Sequence, residues 1–126
     1  VNSIKWHLLD KEEYRDMYAY YQGLIRFRKE HGALRMKNAG DVYSHITDVR
    51  TGAENVTAYH LWGNINGETA EAIFAAFNPE NEEKEIYLPV GRWSVRICGD
   101  VAGNEHLCYA ERKFTIPPLS AAVMIK

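Results

Sequence analysis

Residues 10–32 read DKEEYRDMYAYYQGLIRFRKEHG, and they form the only long segment of the chain with helical periodicity. Asp10, with Glu13 three positions later, predicts an N-terminal capping box. Gly32 predicts the end of the helix. Apolar residues recur at steps of three and four, which places six of them on one helix face: Tyr14, Met17, Tyr18, Tyr21, Leu24 and Ile25.

The apolar arc of this helix is too wide for a helix that packs on a single surface. Tyr20 and Phe27 extend the arc to about half of the circumference, at roughly 100° per residue. We therefore expect the helix to contact two surfaces and to leave part of the arc in water where one surface is absent. Arg28 also falls within the arc, where it either pairs with a buried partner or extends its charge into water. A two-fold helix pair would cover the exposed side chains, which predicts a homodimer of the isolated chain through this helix.

The remainder of the chain is typical of short strands separated by turns. Residues 72–77, AIFAAF, are apolar on both faces, as in a strand that is covered on both sides. Trp93, Val95 and Ile97 alternate with polar residues, which predicts that they point into a core. The pattern predicts a mainly β fold, an antiparallel β-sandwich with Greek-key connections, preceded by one long amphipathic α-helix. The predicted strands are 42–49, 55–62, 72–77, 84–88, 92–98, 106–109, 113–116 and 121–125.

The composition is that of an ordinary globular protein. The chain has 126 residues, 46% hydrophobic and 25% charged, with a net charge of −2. This balance supplies neither a basic field for nucleic acid nor a polybasic surface for a membrane. No apolar run approaches the roughly 20 residues that span a bilayer. Because the chain starts at Val1 and not at Met, we expect it to be a piece of a longer protein. The sequence is compatible with both a cytoplasmic and a secreted location of that protein.

Three segments resemble one known family. Residues 20–36, YYQGLIRFRKEHGALRM, resemble the last barrel helix of bacterial type I pullulanases, which are α-amylase-clan glycoside hydrolases of family 13. The family pattern is Y-Y-x-G-L-I-x-L-R-K-x-H-P-A-F-R-M, and the chain departs from it at Phe27, Gly32 and Leu34. Residues 1–6 resemble the V-N-x-I-D-W stretch before that helix, with Lys5 where Asp is usual. Residues 116–123, IPPLSAAV, resemble the closing strand of the family's C-terminal β domain.

The resemblance implies a division of the chain and a role for it. Residues 1–36 would be a remnant of the catalytic barrel, and residues 37–126 the C-terminal β-sandwich domain. Enzymes of this family hydrolyse α-1,6 bonds of pullulan, starch or glycogen by a retaining two-carboxylate mechanism, with carboxylates on earlier barrel strands. We therefore expect no catalytic residue here and a structural role against the barrel of the same protein. Asn2 is a candidate substrate-binding residue, because related segments pass the rim of the substrate cleft.

The residues themselves offer little chemistry. No acid lies in an apolar context that would shift its pKa, and the Glu80–Glu85 cluster is typical of a solvated edge. His45 and His60 lie on neighbouring predicted strands but lack a third ligand, so we expect no metal and no cofactor. Cys98 and Cys108 are interpreted as free, half-buried thiols, with a cross-strand disulfide as the alternative.

Two other functions remain open. Carbohydrate-binding modules are sandwiches that stack sugars on exposed aromatic rings, and Trp62, which precedes a loop, is the best candidate for such a ring. Packing of Trp62 in a core or an interface is the competing interpretation. An immunoglobulin-like interaction domain is the third possibility, but it does not explain a long amphipathic helix ahead of the sandwich.

Overall fold

The computed structural model describes residues 3–103 and 105–126. Short 3-10 turns lie at Trp6–Asp10, Gly32–Arg35 and Ile65–Gly67. The mainly β, antiparallel fold with a helix ahead of it agrees with the sequence-based prediction. The described residues form helices α1 (Glu12–Glu30) and α2 (Ala39–His45) and strands β1 (Ile46–Asp48), β2 (Thr57–Trp62), β3 (Ala72–Asn78), β4 (Lys84–Cys98), β5 (Val101–Ala102), β6 (Cys108–Ile116) and β7 (Ser120–Ile125).

The seven strands are hydrogen-bonded into one antiparallel sheet. Its order is β1-β2-β3-β7-β4-β5, and β6 pairs with β4 off this path. In β4, residues 84–87 and 92–95 pair with β6, and residues 94–98 pair with β7. The long β4 therefore connects two parts of a single sheet, which we call the two layers: one is built with β6, and the other is built with β7, β3, β2 and β1.

The main core lies between these layers. Trp93 and Val95 of β4 are fully buried there, together with Phe74 of β3 and Met124 of β7. The prediction that Trp93, Val95 and Ile97 point inward is confirmed. Burial of such large side chains is the main contribution to the stability of the sheet.

A second, smaller core covers the opposite face of β3. Ile73 packs there with Leu61 of β2 and with Ala33, which follows helix α1. Residues 72–76 are thus covered on both faces of the sheet, as their apolar sequence predicts, although Phe77 at the end of the run is exposed. This second core joins the end of α1 to the sheet.

Three predicted strand boundaries are wrong. The predicted strand 42–49 begins as helix α2, because the side chain of Asn38 accepts a hydrogen bond from the Asp41 N–H at 2.8 Å and caps a helical turn. The predicted strands 84–88 and 92–98 are one strand, since a bulge between Tyr87 and Arg92 accommodates the intervening turn residues. The predicted strands 106–109 and 113–116 are likewise one strand, β6.

Both predicted ends of α1 also need correction. The helix begins at Glu12 with no side-chain capping bond, and Asp10 belongs to the preceding 3-10 turn, so the capping box is absent. The helix ends at Glu30, after which the backbone is extended at His31. Gly32 serves a close approach, because a Cβ atom there would lie 2.1 Å from the carbonyl oxygen of Asn66.

Helix α1 approaches the sheet closely at Gly23. A Cβ atom at this position would lie 1.9 Å from the carbonyl oxygen of Ala102 in β5. None of the helices within the described residues is long and apolar enough to cross a membrane.

We predict that Gly23→Ala separates α1 from β5 and lowers the free energy of unfolding by about 1–3 kcal/mol, as overpacked contacts do. Alanine favours helix formation over glycine by about 1 kcal/mol, so a destabilised variant would show that the clash outweighs helix propensity. Urea denaturation measures the difference. Gln22→Ala, at the exposed neighbouring position, is the control and should change stability by less than about 0.5 kcal/mol.

Candidate functional site: the exposed face of helix α1

The apolar arc of α1 is divided between the sheet and solvent. Gly23 and Phe27 are buried, and Tyr20 and Leu24 are half-buried beside them. Arg28 is exposed, which favours the interpretation that its charge extends into water. An adjoining row of large side chains faces solvent: Tyr14, Met17, Tyr18, Tyr21 and Ile25. The prediction that part of the arc faces water is confirmed.

The exposed row is large enough to be an interaction surface. Tyr21 is 60% exposed and Ile25 54%, and the five side chains together present on the order of 400 Å² of mostly apolar surface. Their spacing of three and four residues keeps them in one continuous stripe along the helix. Patches of this size on a monomer often mark binding surfaces.

A buried polar pair fixes the C-terminal end of α1. Nδ1 of His31 lies 2.9 Å from Oε1 of Glu68, and the Ala33 N–H donates to Oε2 at 3.2 Å. The Ala70 N–H donates to Oε1 at 2.9 Å. Because a carboxylate only accepts hydrogen bonds, Nδ1 of His31 carries the proton. These contacts tie the helix to the loop between β2 and β3.

The expectation that no acid lies in an apolar context is wrong at Glu68, whose side chain is only 2% exposed. Burial raises the pKa of the Glu68 carboxyl, but the hydrogen bonds from His31, Ala70 and Ala33 lower that pKa by more, so the net pKa is below its usual value. Glu68 therefore stays ionised in the folded protein near neutral pH. No local pattern marks this residue, because its partner His31 is 37 positions away.

Further hydrogen bonds close the same junction. The Asn66 side-chain amide donates to the carbonyl oxygens of Gly32 at 3.0 Å and Arg35 at 2.9 Å. The Arg35 guanidinium donates to the carbonyl oxygens of Arg28 at 2.9 Å and Lys29 at 3.0 Å. These two carbonyls lie at the end of α1, where no further helical turn can satisfy them. The orientation of α1 on the sheet is thus set by directional polar contacts as well as by packing.

The carboxylate at this junction is fully engaged in hydrogen bonds. Both oxygens of Glu68 already accept hydrogen bonds, and almost none of its surface reaches solvent. Glu82 and Glu85 are exposed and pair with Lys84 and Lys113. Among residues 3–103 and 105–126, no group of three or more His, Cys, Asp or Glu side chains is arranged to hold a metal ion.

The other candidate residues are separate from this surface. Trp62 is 45% exposed at the end of β2, and its ring centroid lies 5.5 Å from that of His45. Asn2 lies outside the described residues. Cys98 and Cys108 are free thiols, but only Cys98 is half-buried, whereas Cys108 is exposed. Burial raises the pKa of the Cys98 thiol, and the neighbouring Cys108 raises it further.

The described residues thus define a class of mainly β fold with a leading helix whose apolar face is partly exposed. Comparison with known proteins agrees with this class. Residues 42–100 match the family model described as the pullulanase all-beta domain. The resemblance to pullulanases inferred from the sequence is confirmed by this match and by solved pullulanase structures that superpose on the whole chain.

Solved pullulanases share the fold. The pullulanase from Bacillus acidopullulyticus superposes with a TM-score of 0.92 at 25% identity, over 100% of this chain and 15% of that chain. The pullulanase from Anoxybacillus sp. LM18-11 superposes with a TM-score of 0.79 at 25% identity, over 100% of this chain and 17% of that chain. The type I pullulanase from Bacillus subtilis str. 168, complexed with maltose, superposes with a TM-score of 0.83 at 19% identity, over 99% of this chain and 17% of that chain. At this identity the likeness shows the fold alone. The chain thus spans 15–17% of the length of these relatives.

Proposed function

We propose that this chain is the C-terminal part of a bacterial pullulanase-type α-glucan hydrolase and that its role there is structural. The observation that carries the proposal is the exposed apolar row of α1. A helix that is buried on one side and apolar on the adjoining side fits between two surfaces, and the described residues supply one of them. The second surface would be the catalytic barrel. In this proposal residues 1–36 belong with the barrel, and residues 37–126 form the β domain.

The complete protein would hydrolyse α-1,6 bonds of pullulan, starch or glycogen. Its reaction would follow the retaining two-carboxylate mechanism, with both carboxylates on barrel strands outside this chain. The contribution of this chain would be to hold the last barrel helix in place. The buried Glu68–His31 pair supports this role, because it fixes the helix relative to the sheet.

The test uses the complete polypeptide with the double substitution Tyr21→Lys and Ile25→Glu. Both side chains are exposed in the single chain, so the stability of the monomer, measured at a concentration too low for dimerisation, should change by less than about 0.5 kcal/mol. In the complete polypeptide the two new charges, which lie four residues apart and can pair with each other, would have to leave water at an apolar contact, and this desolvation is costly. We expect the half-life of pullulan hydrolysis at elevated temperature to fall at least tenfold, which corresponds to about 1.4 kcal/mol.

The matched control is Gln22→Lys with Arg26→Glu, at exposed polar positions of the same helix. This variant should keep the parental half-life. An unchanged half-life for the Tyr21→Lys, Ile25→Glu variant would contradict the docking role of α1. A complete polypeptide that does not hydrolyse pullulan would contradict the proposed function itself.

For the isolated chain we propose that a second copy covers the same row, as a two-fold dimer through α1. We predict a mass that rises with concentration in sedimentation experiments. Tyr18→Lys with Ile25→Glu should give a monomer, while Gln22→Lys with Arg26→Glu should still dimerise. A monomer at all concentrations, with the amides of α1 fully protected from exchange, would contradict the dimer.

The alternative function, a carbohydrate-binding module, rests on the exposure of Trp62. Within the described residues the Trp62 ring packs against the His45 ring, which occupies part of its surface. Titration of the isolated chain with maltotriose separates the two functions. Millimolar or tighter binding that Trp62→Ala abolishes would favour the module.

A further inference from the structure

A groove with a volume of about 950 Å³ lies between α1 and the sheet, beside the exposed row. Met17 and Tyr20 line it on the helix side. On the sheet side it is lined by Phe77 at the end of β3, Val101 in β5 and Leu119 in the turn before β7. The groove is therefore built by segments that are distant in sequence and meet only in the folded chain.

Four large apolar side chains in this groove remain open to solvent. Met17 is 59% exposed, Phe77 46%, Val101 48% and Leu119 67%. Single exposed apolar residues are common on protein surfaces and need no explanation, but four that converge on one concave site do. The groove is thus a contiguous apolar surface without a covering segment among the described residues.

Leu119 is held in this position at a conformational cost. Its φ angle is 47°, in the left-handed region that a branched, non-glycine residue rarely adopts. Such a conformation costs about 1–3 kcal/mol and persists only where the surroundings impose it. Here the Leu119 N–H donates to the carbonyl oxygen of Glu80 at 2.8 Å, and the Ser120 hydroxyl donates to that of Pro117 at 2.7 Å. The turn thus holds an apolar side chain in solvent at a conformational cost, and such strain is often found at binding sites.

The charged residues that line the groove are both acidic. Asp16 lies on the α1 wall and Asp100 on the wall beside β5, and no lysine or arginine lines the groove. Within the described part of the chain, neither carboxylate forms an ion pair. A partner that brings apolar side chains and positive charge would therefore match the groove in both respects.

A sugar fits these walls less well. The Asn78 side-chain amide already donates to the carbonyl oxygens of Glu82 at 2.8 Å and Pro117 at 2.9 Å, and its oxygen accepts from the Glu80 N–H at 3.0 Å. The Ser120 hydroxyl is also engaged. Sugar sites need several convergent polar groups, and here the lining side chains that remain for hydrogen bonding are the two aspartates and Tyr20.

We propose that this groove receives an apolar peptide segment that carries a lysine or arginine and comes from the catalytic part of the same longer polypeptide. The inference rests on the proposed function and deepens it, because it adds a second contact with a stated chemistry beside the exposed row of α1. The apolar side chains of the segment would cover Phe77 and Leu119, and its basic group would lie between Asp16 and Asp100.

The experiment places the photo-crosslinking residue benzoylphenylalanine in the complete polypeptide, in place of Phe77 or, in a second variant, of Leu119. Phe77 suits this substitution because the new side chain extends the native ring into the groove. A third variant carries the probe in place of Ile25, in the exposed row of α1. After irradiation, mass spectrometry identifies the crosslinked segments. We expect both groove probes to reach one segment upstream of this chain, with a lysine or arginine within about four residues, the reach of one helical turn.

The outcomes separate the two proposals. If the Ile25 probe crosslinks upstream but neither groove probe does, the inference is overturned and the proposed function stands. If none of the three probes reaches an upstream segment, the proposed function fails. Groove crosslinks to a second copy, or to a segment without a basic residue, would also overturn the inference.

A charge substitution tests the electrostatic part. Asp16→Lys with Asp100→Lys should lower the crosslinking yield from the groove probes at least fivefold. Glu30→Lys with Asp48→Lys makes the same change in net charge at exposed positions that do not line the groove, and should leave the yield unchanged. Equal yields for the two double variants would show that the aspartates do not attract the segment.

Discussion

Trp93→Ala is expected to lower the free energy of unfolding by about 3–5 kcal/mol, the range for large aromatic residues removed from cores. Trp93 is completely buried in β4. Its ring centroid lies 5.9 Å from that of Phe74 and 5.8 Å from that of His60, and its indole N–H donates to the carbonyl oxygen of Pro89 at 2.8 Å. The substitution removes this packing, leaves a cavity between the layers and deprives the Pro89 carbonyl of its donor.

Urea denaturation of the isolated chain measures this effect, and Trp62→Ala is the matched control. Trp62 is 45% exposed, so its removal should cost less than about 1 kcal/mol. If Trp62→Ala destabilised the chain more than Trp93→Ala, the assignment of Trp93 to the main core would be contradicted.

The second large effect is expected at Glu68. We predict that Glu68→Ala lowers the free energy of unfolding by about 3 kcal/mol, since it leaves His31 and two backbone N–H groups buried without an acceptor. A double-mutant cycle with His31→Ala isolates the pair and should give a coupling energy of about 1–3 kcal/mol. Additive single substitutions would show that the two side chains do not stabilise each other.

The same pair predicts a pH dependence. Because the folded-state pKa of Glu68 is lowered, the stabilisation is complete above the unfolded-state pKa of about 4.3 and is lost as the pH falls through the folded-state pKa. The stability difference between the wild-type chain and Glu68→Gln should therefore shrink below about pH 4. Denaturation curves between pH 3 and pH 7 test this. A difference that grows on acidification would contradict a lowered pKa.

Local periodicity was sufficient to predict the helix and the central strands. The apolar steps of three and four in α1, the two-sided apolar run in β3 and the alternation around Trp93 are each determined by neighbours within about ten residues. For the same reason the exposed row of α1 was predictable, because the width of an apolar arc is a local property.

The contacts that build the candidate site are not local. Glu68 has no apolar pattern around it, and only the folded chain brings it to His31. The groove likewise joins Met17, Phe77 and Leu119, which no spacing rule connects. The short helix α2 was missed because a polar cap at Asn38 outweighed the apolar and β-branched residues that follow it.

The continuity of β4 has a consequence for how the β domain unfolds. Because this strand is hydrogen-bonded to β6 at residues 84–87 and 92–95 and to β7 at residues 94–98, disruption of either layer also removes hydrogen-bond partners from the other. Among the described strands, we therefore expect neither layer to unfold while the other stays folded. The domain is therefore expected to unfold as a single cooperative unit, in which local opening of β4 destabilises both layers.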